Sequence, residues 1–327
     1  MRHGRAGKLL AAVSTVLSAM VLFAAPALAQ QGAKFPQKPV VMLVGYGAGG
    51  ATDLCMRVIA QGASAELGQN VLVENKPGAG SSVSIAQLVA RPADGYSVAS
   101  FSSGALINQF LRKDVTYDVL KDLTPIIHVA QYQAGIVVRP DAPWKNVAEL
   151  IAYAKSKPDA IRYSTAGIGT QQHLTMLRLG QMVGARMVHV PYKNGPDAIT
   201  ALERGDVEIM AQTAEWATHV RDGRLKLLAM FTDTRVPDFA EAPTLIESGF
   251  NLVAPSMLGI AGPKDMDPGT VEVLHAAFRN AMQTDLFKQC AYRFGLKVDY
   301  RGPAAYREFI QNLANGWGPT IRSVATD

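Results

Sequence analysis

The sequence predicts an α/β protein of two lobes, each built on a parallel-type sheet flanked by helices. Short apolar runs alternate with amphipathic stretches of helical length along nearly the whole chain, and strands alternating with helices fold into parallel sheets covered on both faces. Of the 327 residues, about 298 follow a leader-like N-terminus, close to the size at which one core stops growing and a chain divides in two. Glycine-rich loops also recur between a strand and a helix, at residues 45–53 and again at 165–173.

The first residues carry Arg2, Arg5 and Lys8 with no acid, then an apolar run from Leu9 to Phe23, then Ala27-Leu28-Ala29 before Gln30. A charged region, a hydrophobic region and a small-residue cleavage site make a signal peptide over 1–29, and with it export to the periplasm. The apolar run is short for a membrane span of about 20 residues, which favours cleavage over an anchor. Without those three bases, 29 Lys and Arg stand against 27 Asp and Glu, a net of +2. Bases so balanced and scattered give no footprint for nucleic acid. Cys55 and Cys290 leave two readings open, a single disulfide and two unpaired buried thiols, of which the second is favoured because nothing in the sequence fixes their distance. His128, His173, His189, His219 and His275 are isolated, without HExxH or CxxC spacing, so no metal site is expected.

Strands are predicted at Val40 to Val44, Val71 to Val73, Tyr96 to Phe101, Ile126 to Val129, Ile136 to Val138, Ile161 to Ser164, Met187 to Val190, Val207 to Met210 and Leu225 to Met230. Helices are predicted at Asp53 to Leu67, Val83 to Arg91, Val147 to Ser156, Gln171 to Val183 and Ala198 to Arg204, with a mainly helical tail over Val271 to Met282, Leu286 to Phe294 and Ala304 to Leu313. No internal repeat or long linker appears, so crossover strands are expected to join the lobes. The first lobe is assigned residues 36–131 and 230–327, and the second 132–229.

The strand VVMLV runs into GYGAGGATD, where Gly45, Gly47 and Gly50 satisfy G-x-G-x-x-G and Glu74 closes the next strand. One reading is a dinucleotide site and hence an oxidoreductase. A simpler one is a turn whose glycines let the backbone approach an anion at the first helix N-terminus, with Asp53 as N-cap. A second loop of the same kind, TAGIGTQQH, offers Thr165, Gly167, Gly169 and Thr170, and SFSSGAL offers Ser102 and Ser103 after a third strand. Three such loops describe a cleft clamped from two sides. The chain has no G-x-S-x-G elbow and no catalytic set announced by motif, and His173 alone is a candidate for chemistry. A binding protein without cofactor, and not an enzyme, is the expectation.

The strings FPQKPVVMLVGYGAGGATD, LGQNVLVENKPGAG, ADGYSVASFSSG, ELIAYAKSKPDAIRYSTAGIGTQQHL, VHVPYKNGPDAITALERGDVEIM and APTLIESGF resemble the Bug family, TctC-like extracytoplasmic receptors of tripartite tricarboxylate transporters. The likeness runs from about Phe35 to the end and keeps the order and spacing of the family's blocks. It implies a type II periplasmic binding protein, a Venus flytrap that holds a small organic carboxylate between its lobes and delivers it, as a monomer, to membrane transporter subunits. Its ligand residues carry over to Gly47, Ala48, Gly49, Ala51, Thr52 and Asp53, to Gly167, Gly169, Thr170 and His173, and to Ser102 and Ser103. Gly45 and Tyr46 stand where many members have Pro-Phe, and Ala211, Gln212 and Thr213 where they have Phe-Asp-Asn. An ammonium needs a carboxylate partner, so loss of that aspartate points away from an amino acid, while Gln212 still hydrogen-bonds an anionic ligand. Tyr46, Phe101 and Trp216 are candidates for an apolar centre. A dicarboxylate is favoured, terephthalate among aromatic ones, beside aliphatic diacids and citrate-like acids.

Overall fold

Fully buried strands need neighbours on both edges and cover on both faces, and Val40–Val44 and Ser97–Ser102 bury almost every residue. In the computed structural model, which describes residues 35–254 and 256–322, these strands, β1 and β3, lie side by side inside a six-stranded sheet. Its other members are β2 (Val71–Asn75), β4 (Leu123–Tyr132), β10 (Leu258–Pro263) and β11 (Leu296–Arg301), in the order β11-β4-β10-β3-β1-β2. A second sheet takes β5 (Ala134–Val138), β6 (Arg162–Thr165), β7 (Val188–Pro191), β8 (Ile209–Thr213) and β9 (Lys226–Met230), in the order β7-β6-β8-β5-β9. The expected signal peptide, residues 1–29, lies outside the described residues.

Both sheets are mixed, where the sequence led us to expect parallel ones. β1 pairs parallel with β2 and β3, and β6 with β7 and β8. β10 instead runs antiparallel to β3 and β4, and β5 antiparallel to β8 and β9. The cause is the route of the chain between sheets. Only Gln133 separates β4 in one sheet from β5 in the other, so the crossing strand enters its new sheet against the direction of the βα units there.

The helices are α1 (Ala51–Leu67), α2 (Ser82–Val89), α3 (Ser103–Leu111), α4 (Val147–Ser156), α5 (Gln171–Val183), α6 (Gly195–Arg204), α7 (Ala217–Arg221), α8 (Pro268–Gln283), α9 (Asp285–Arg293) and α10 (Pro303–Arg322). α4 and α5 have the predicted bounds, and α10 runs further than predicted. α3, α7, β10 and β11 were not anticipated. β10 reads as Leu-Gly-Ile-Ala-Gly-Pro, a turn-like string, yet every residue is buried. Gly259 is required there because a Cβ would lie 2.5 Å from the Tyr306 ring.

The two cysteines are paired, against the favoured reading of the sequence. Cys55 on α1 and Cys290 on α9 are joined with Cα atoms 5.7 Å apart. α8 packs along α1, where a Cβ on Gly62 would meet Ala281 at 2.8 Å, and this packing brings α9 to Cys55. The bridge closes a loop of 235 residues, and long loops restrict the unfolded chain most. Reducing it should lower the unfolding free energy by about 2–5 kcal/mol. Thermal melts with and without reductant test this, and a midpoint unmoved by reductant contradicts it.

Candidate functional site

Parallel βα units aim helix N-termini toward the carboxyl ends of their strands, and here the two lobes turn those ends toward each other. The cavity between them is lined by Gly50, Ala51 and Thr52 at the start of α1, and by Ser102, Ser103 and Gly104 at the start of α3. From the other lobe come Gln171 and Gln172 at the start of α5, and Asn194 and Gly195 at the start of α6. Tyr46, Tyr132, Ala166, Gln212, Thr213 and Glu215 complete the wall. Each N-terminus carries partial positive charge and inward amide protons. The described lining residues include no lysine or arginine.

The lobes are closed on each other, and the enclosed space is about 30 Å³, enough for a water or two. Gly47 N donates to Lys193 O at 3.3 Å, Ser103 Oγ to Gln171 Oε1 at 3.4 Å, and Asn108 Nδ2 to Gly169 O at 3.1 Å across the cleft. Asn108 Nδ2 also reaches Ala79 O and Gly104 O. Glycines permit this approach. A Cβ on Gly169, where φ is +74°, would lie 2.1 Å from Asn108 Nδ2, and one on Gly80, where φ is +56°, would lie 2.8 Å from Gly169 O.

Of the residues chosen from the sequence, Tyr46, Ala51, Thr52, Ser102, Ser103 and Gln212 line the cavity. Tyr46 Oη pairs with Ser102 Oγ at 3.2 Å, and Thr52 Oγ1 with Tyr132 Oη at 2.6 Å. Gln212 Oε1 accepts from Gln172 Nε2 at 3.0 Å and from Thr213 N at 2.9 Å, which turns Gln212 Nε2 inward. Phe101 and Trp216 are fully buried in the cores of their lobes.

Gly47, Ala48, Gly49, Asp53, Gly167, Gly169, Thr170 and His173 are not among the lining residues. Gly50, not Asp53, is the N-cap of α1. Asp53 sits inside the first turn and accepts from Gly49 N at 2.9 Å, Arg57 Nε at 2.9 Å and Asn75 Nδ2 at 2.8 Å. Burial pushes its carboxyl up, but these donors and the Arg57 charge outweigh it and hold the carboxyl below its usual value. Thr170 is the N-cap of α5 and spends its hydroxyl on His173 N and Gly167 O. His173 accepts from Gly169 N at 3.1 Å through Nδ1 and stacks on His189 at 4.0 Å. Burial lowers its pKa to about 4, so it is neutral near pH 7.

Sequence reasoning missed Glu215, Gln171, Gln172, Asn194, Gly195 and Tyr132. Gln171 and Gln172 follow a cap residue directly, and that position was a readable signal. Glu215 lay in no recognised motif. Its Oε1 accepts from Ala51 N, the first amide of α1, across the cleft. Three enclosed polar atoms of the lining have no hydrogen-bond partner: Gln171 Nε2, Gln212 Nε2 and Glu215 Oε2.

Two lobes closing over a cavity walled by helix N-termini, amides and hydroxyls define a solute-binding protein. Residues 55–325 match the tripartite tricarboxylate transporter family receptor, and the chain belongs to that family. It is 38% identical over 299 residues to the UPF0065 protein of the gbd 5′ region of Cupriavidus necator, covering 91% of each chain. The structure of the periplasmic binding protein BugD is 28% identical, with a TM-score of 0.82 over 89% of this chain and 98% of that one. MatC from Rhodopseudomonas palustris, solved with bound malate, shares the fold at 24% identity, with a TM-score of 0.83 over 88% and 100% of the two chains. The family is one of transporter receptors, so the chain is a binding protein and the oxidoreductase alternative is set aside.

Burial pushes the Glu215 carboxyl up to about 7, against a weaker downward pull from the Ala51 amide. Below pH 4.5 the group is protonated whether the chain is folded or not. From there to about pH 7 the unfolded chain loses the proton and the folded one keeps it, so stability falls as pH rises through this window. The loss by pH 8 is about 3 kcal/mol. Glu215→Gln should therefore gain about that much over the wild type between pH 4.5 and pH 8. Denaturant melts at the two pH values check this, and a constant difference contradicts it.

Proposed function

We propose that the protein is a periplasmic receptor that captures a dicarboxylate between its lobes and presents it, as a monomer, to the membrane subunits of a tripartite tricarboxylate transporter. One jaw is built on the six-stranded sheet and the other on the five-stranded sheet; Phe231, Val236, Phe239, Leu245 and Leu252 pack in the cores of the second, so the chain returns to the first jaw after Leu252 and not at residue 230 as read from the sequence. The reading is carried by the convergence of the α1, α3, α5 and α6 N-termini on one cavity that also holds the unpartnered Nε2 atoms of Gln171 and Gln212. Such a wall supplies donors and positive potential without a cation, which matches a carboxylate held by neutral groups. The malate in the MatC structure supports the same ligand class. Tyr46 and Tyr132 place two phenol rings on the wall, which favours an aromatic diacid such as terephthalate. Export follows from the signal peptide read at residues 1–29.

An enclosed volume of about 30 Å³ does not hold a diacid, so the jaws must part to admit it and close to bring Gln171 and Gln212 into contact. A thermal-shift screen of the mature chain against aliphatic, aromatic and hydroxylated carboxylates, amino acids and dinucleotides tests the class. A ligand at 100 times its Kd adds about 2.7 kcal/mol, and stabilisation by dinucleotides alone overturns the reading. Gln171→Met keeps the shape and removes the donor to a charged group together with the acceptor that Ser103 Oγ uses across the cleft, so affinity for the best carboxylate should fall at least roughly tenfold.

Closure itself is tested separately at Gly169. Gly169→Ala puts a methyl into Asn108 and a side chain at positive φ, so closure requires Asn108 to give up its place and costs free energy. Affinity should drop at least about tenfold while the circular dichroism spectrum is kept. Wild-type affinity in this variant means that the contact between Asn108 and Gly169 is not part of the bound state.

A further inference from the structure

The residue that the carboxylate reading leaves unexplained is an acid in the anion cavity. Glu215 follows β8 on one lobe, and its Oε1 accepts from the first amide of α1 on the other, the place where a helix N-terminus best receives an anion. Glycines from both lobes frame it: a Cβ on Gly50 would lie 3.2 Å from Oε1, and one on Gly195 would lie 1.2 Å from Oε2. The second oxygen is enclosed, without a partner, in the same cavity as the free Nε2 atoms of Gln171 and Gln212.

The groups around this carboxyl do not neutralise it. Inside the cavity the titratable neighbours are the phenols of Tyr46 and Tyr132, both held protonated, chiefly by burial, and Asn194 and Gln212 are uncharged. On its outer side Glu215 borders a second cavity with Glu203, His219, Arg224 and Arg293. There Glu203 already takes His219 at 2.9 Å and Arg224 at 3.3 Å. Two carboxylates about 4 Å apart in a protein environment disfavour joint ionisation by roughly three powers of ten.

We propose that Glu215 makes ligand capture proton-coupled: an incoming carboxylate enters the cleft with uptake of one proton from water onto Glu215, whose Oε2 then donates to the ligand. The inference rests on the carboxylate reading above. It accounts for the unpartnered Oε2, which as an acid is a third donor beside Gln171 and Gln212. The carboxyl, pushed up to about 7 by burial, is poised to take the proton near neutral pH. The balance is one ligand carboxylate, one Glu215 carboxylate and one proton giving a complex with a single negative charge at this point.

Calorimetric titration of the full mature chain with succinate, adipate, terephthalate and citrate, at pH 6.0 and 8.5 in buffers of different ionisation enthalpy, tests this. Wild-type affinity should fall roughly tenfold per pH unit above about pH 7, with about one proton taken up per ligand at pH 8.5. Glu215→Gln, which keeps an acceptor for Ala51 N, should bind with the wild type's low-pH affinity at both pH values. The proton count needs no variant, so it decides the matter even if the variant folds poorly. Wild-type binding that is equal at the two pH values, or a Gln variant weakened tenfold at pH 6.0, overturns the coupling and leaves the carboxylate reading intact. Failure of all four acids to bind at pH 6.0 overturns both.

Discussion

The positive ends of helix dipoles repel one another, and four of them meet at this cleft when the lobes close. Closure is therefore favourable only with something negative or hydrogen-bond accepting between them. The rest of the site follows from that constraint. Glycines 47, 50, 80 and 169 let the backbone of one lobe reach the other, because a bulkier wall would hold the amides out of range. Neutral side chains suffice for the remainder, since the backbone already supplies the field that an arginine would otherwise bring.

Glu215 answers the same constraint from within the chain. A buried carboxyl without a cation is costly, and an apolar cleft would expel it. At the first amide of α1 the cost is partly offset by a charge-assisted hydrogen bond and the helix end. The remaining cost appears as the raised pKa, so the group lies between two states near neutral pH. Chain and ligand thus compete for one kind of site, which is why the acid's protonation and the ligand's charge are linked.

The parts of the fold that depend on local pattern were legible. α4 and α5 have their predicted limits because caps mark them: Asn146 accepts from Glu149 N, and Thr170 from His173 N. The mixed sheets were not, since strand direction depends on where the chain crosses between lobes, and no residue in Leu258–Pro263 records that. The disulfide was hidden for a like reason: Cys55 and Cys290 meet only through the packing of α8 on α1. Within the site, Tyr46, Ala51, Thr52, Ser102, Ser103 and Gln212 line the cavity as the sequence suggested, and the other chosen residues lie outside its wall. Asp53, Thr170 and His173 are polar residues at helix starts, and each is consumed in fixing its own loop.

Position relative to a helix start decides where free hydrogen-bonding capacity lies. A side chain at an N-cap or N3 position already has a backbone partner one turn away, so its capacity is spent before any ligand arrives. Gln171, the first residue of α5, and Glu215, which follows β8, have no such local partner and reach across the cavity instead, to Ser103 Oγ and Ala51 N. Free capacity, not polarity, separates a side chain that receives a solute from one that shapes the loop. In this chain the free atoms Gln171 Nε2, Gln212 Nε2 and Glu215 Oε2 all belong to the jaw that closes over the α1 and α3 N-termini. Both lobes therefore contribute helix ends, the first adding the hydroxyls of Thr52, Ser102 and Ser103 and the second the side chains of Gln171, Gln212 and Glu215, so changes at Gln171 and Gln212 alter the donors while leaving the helix ends in place.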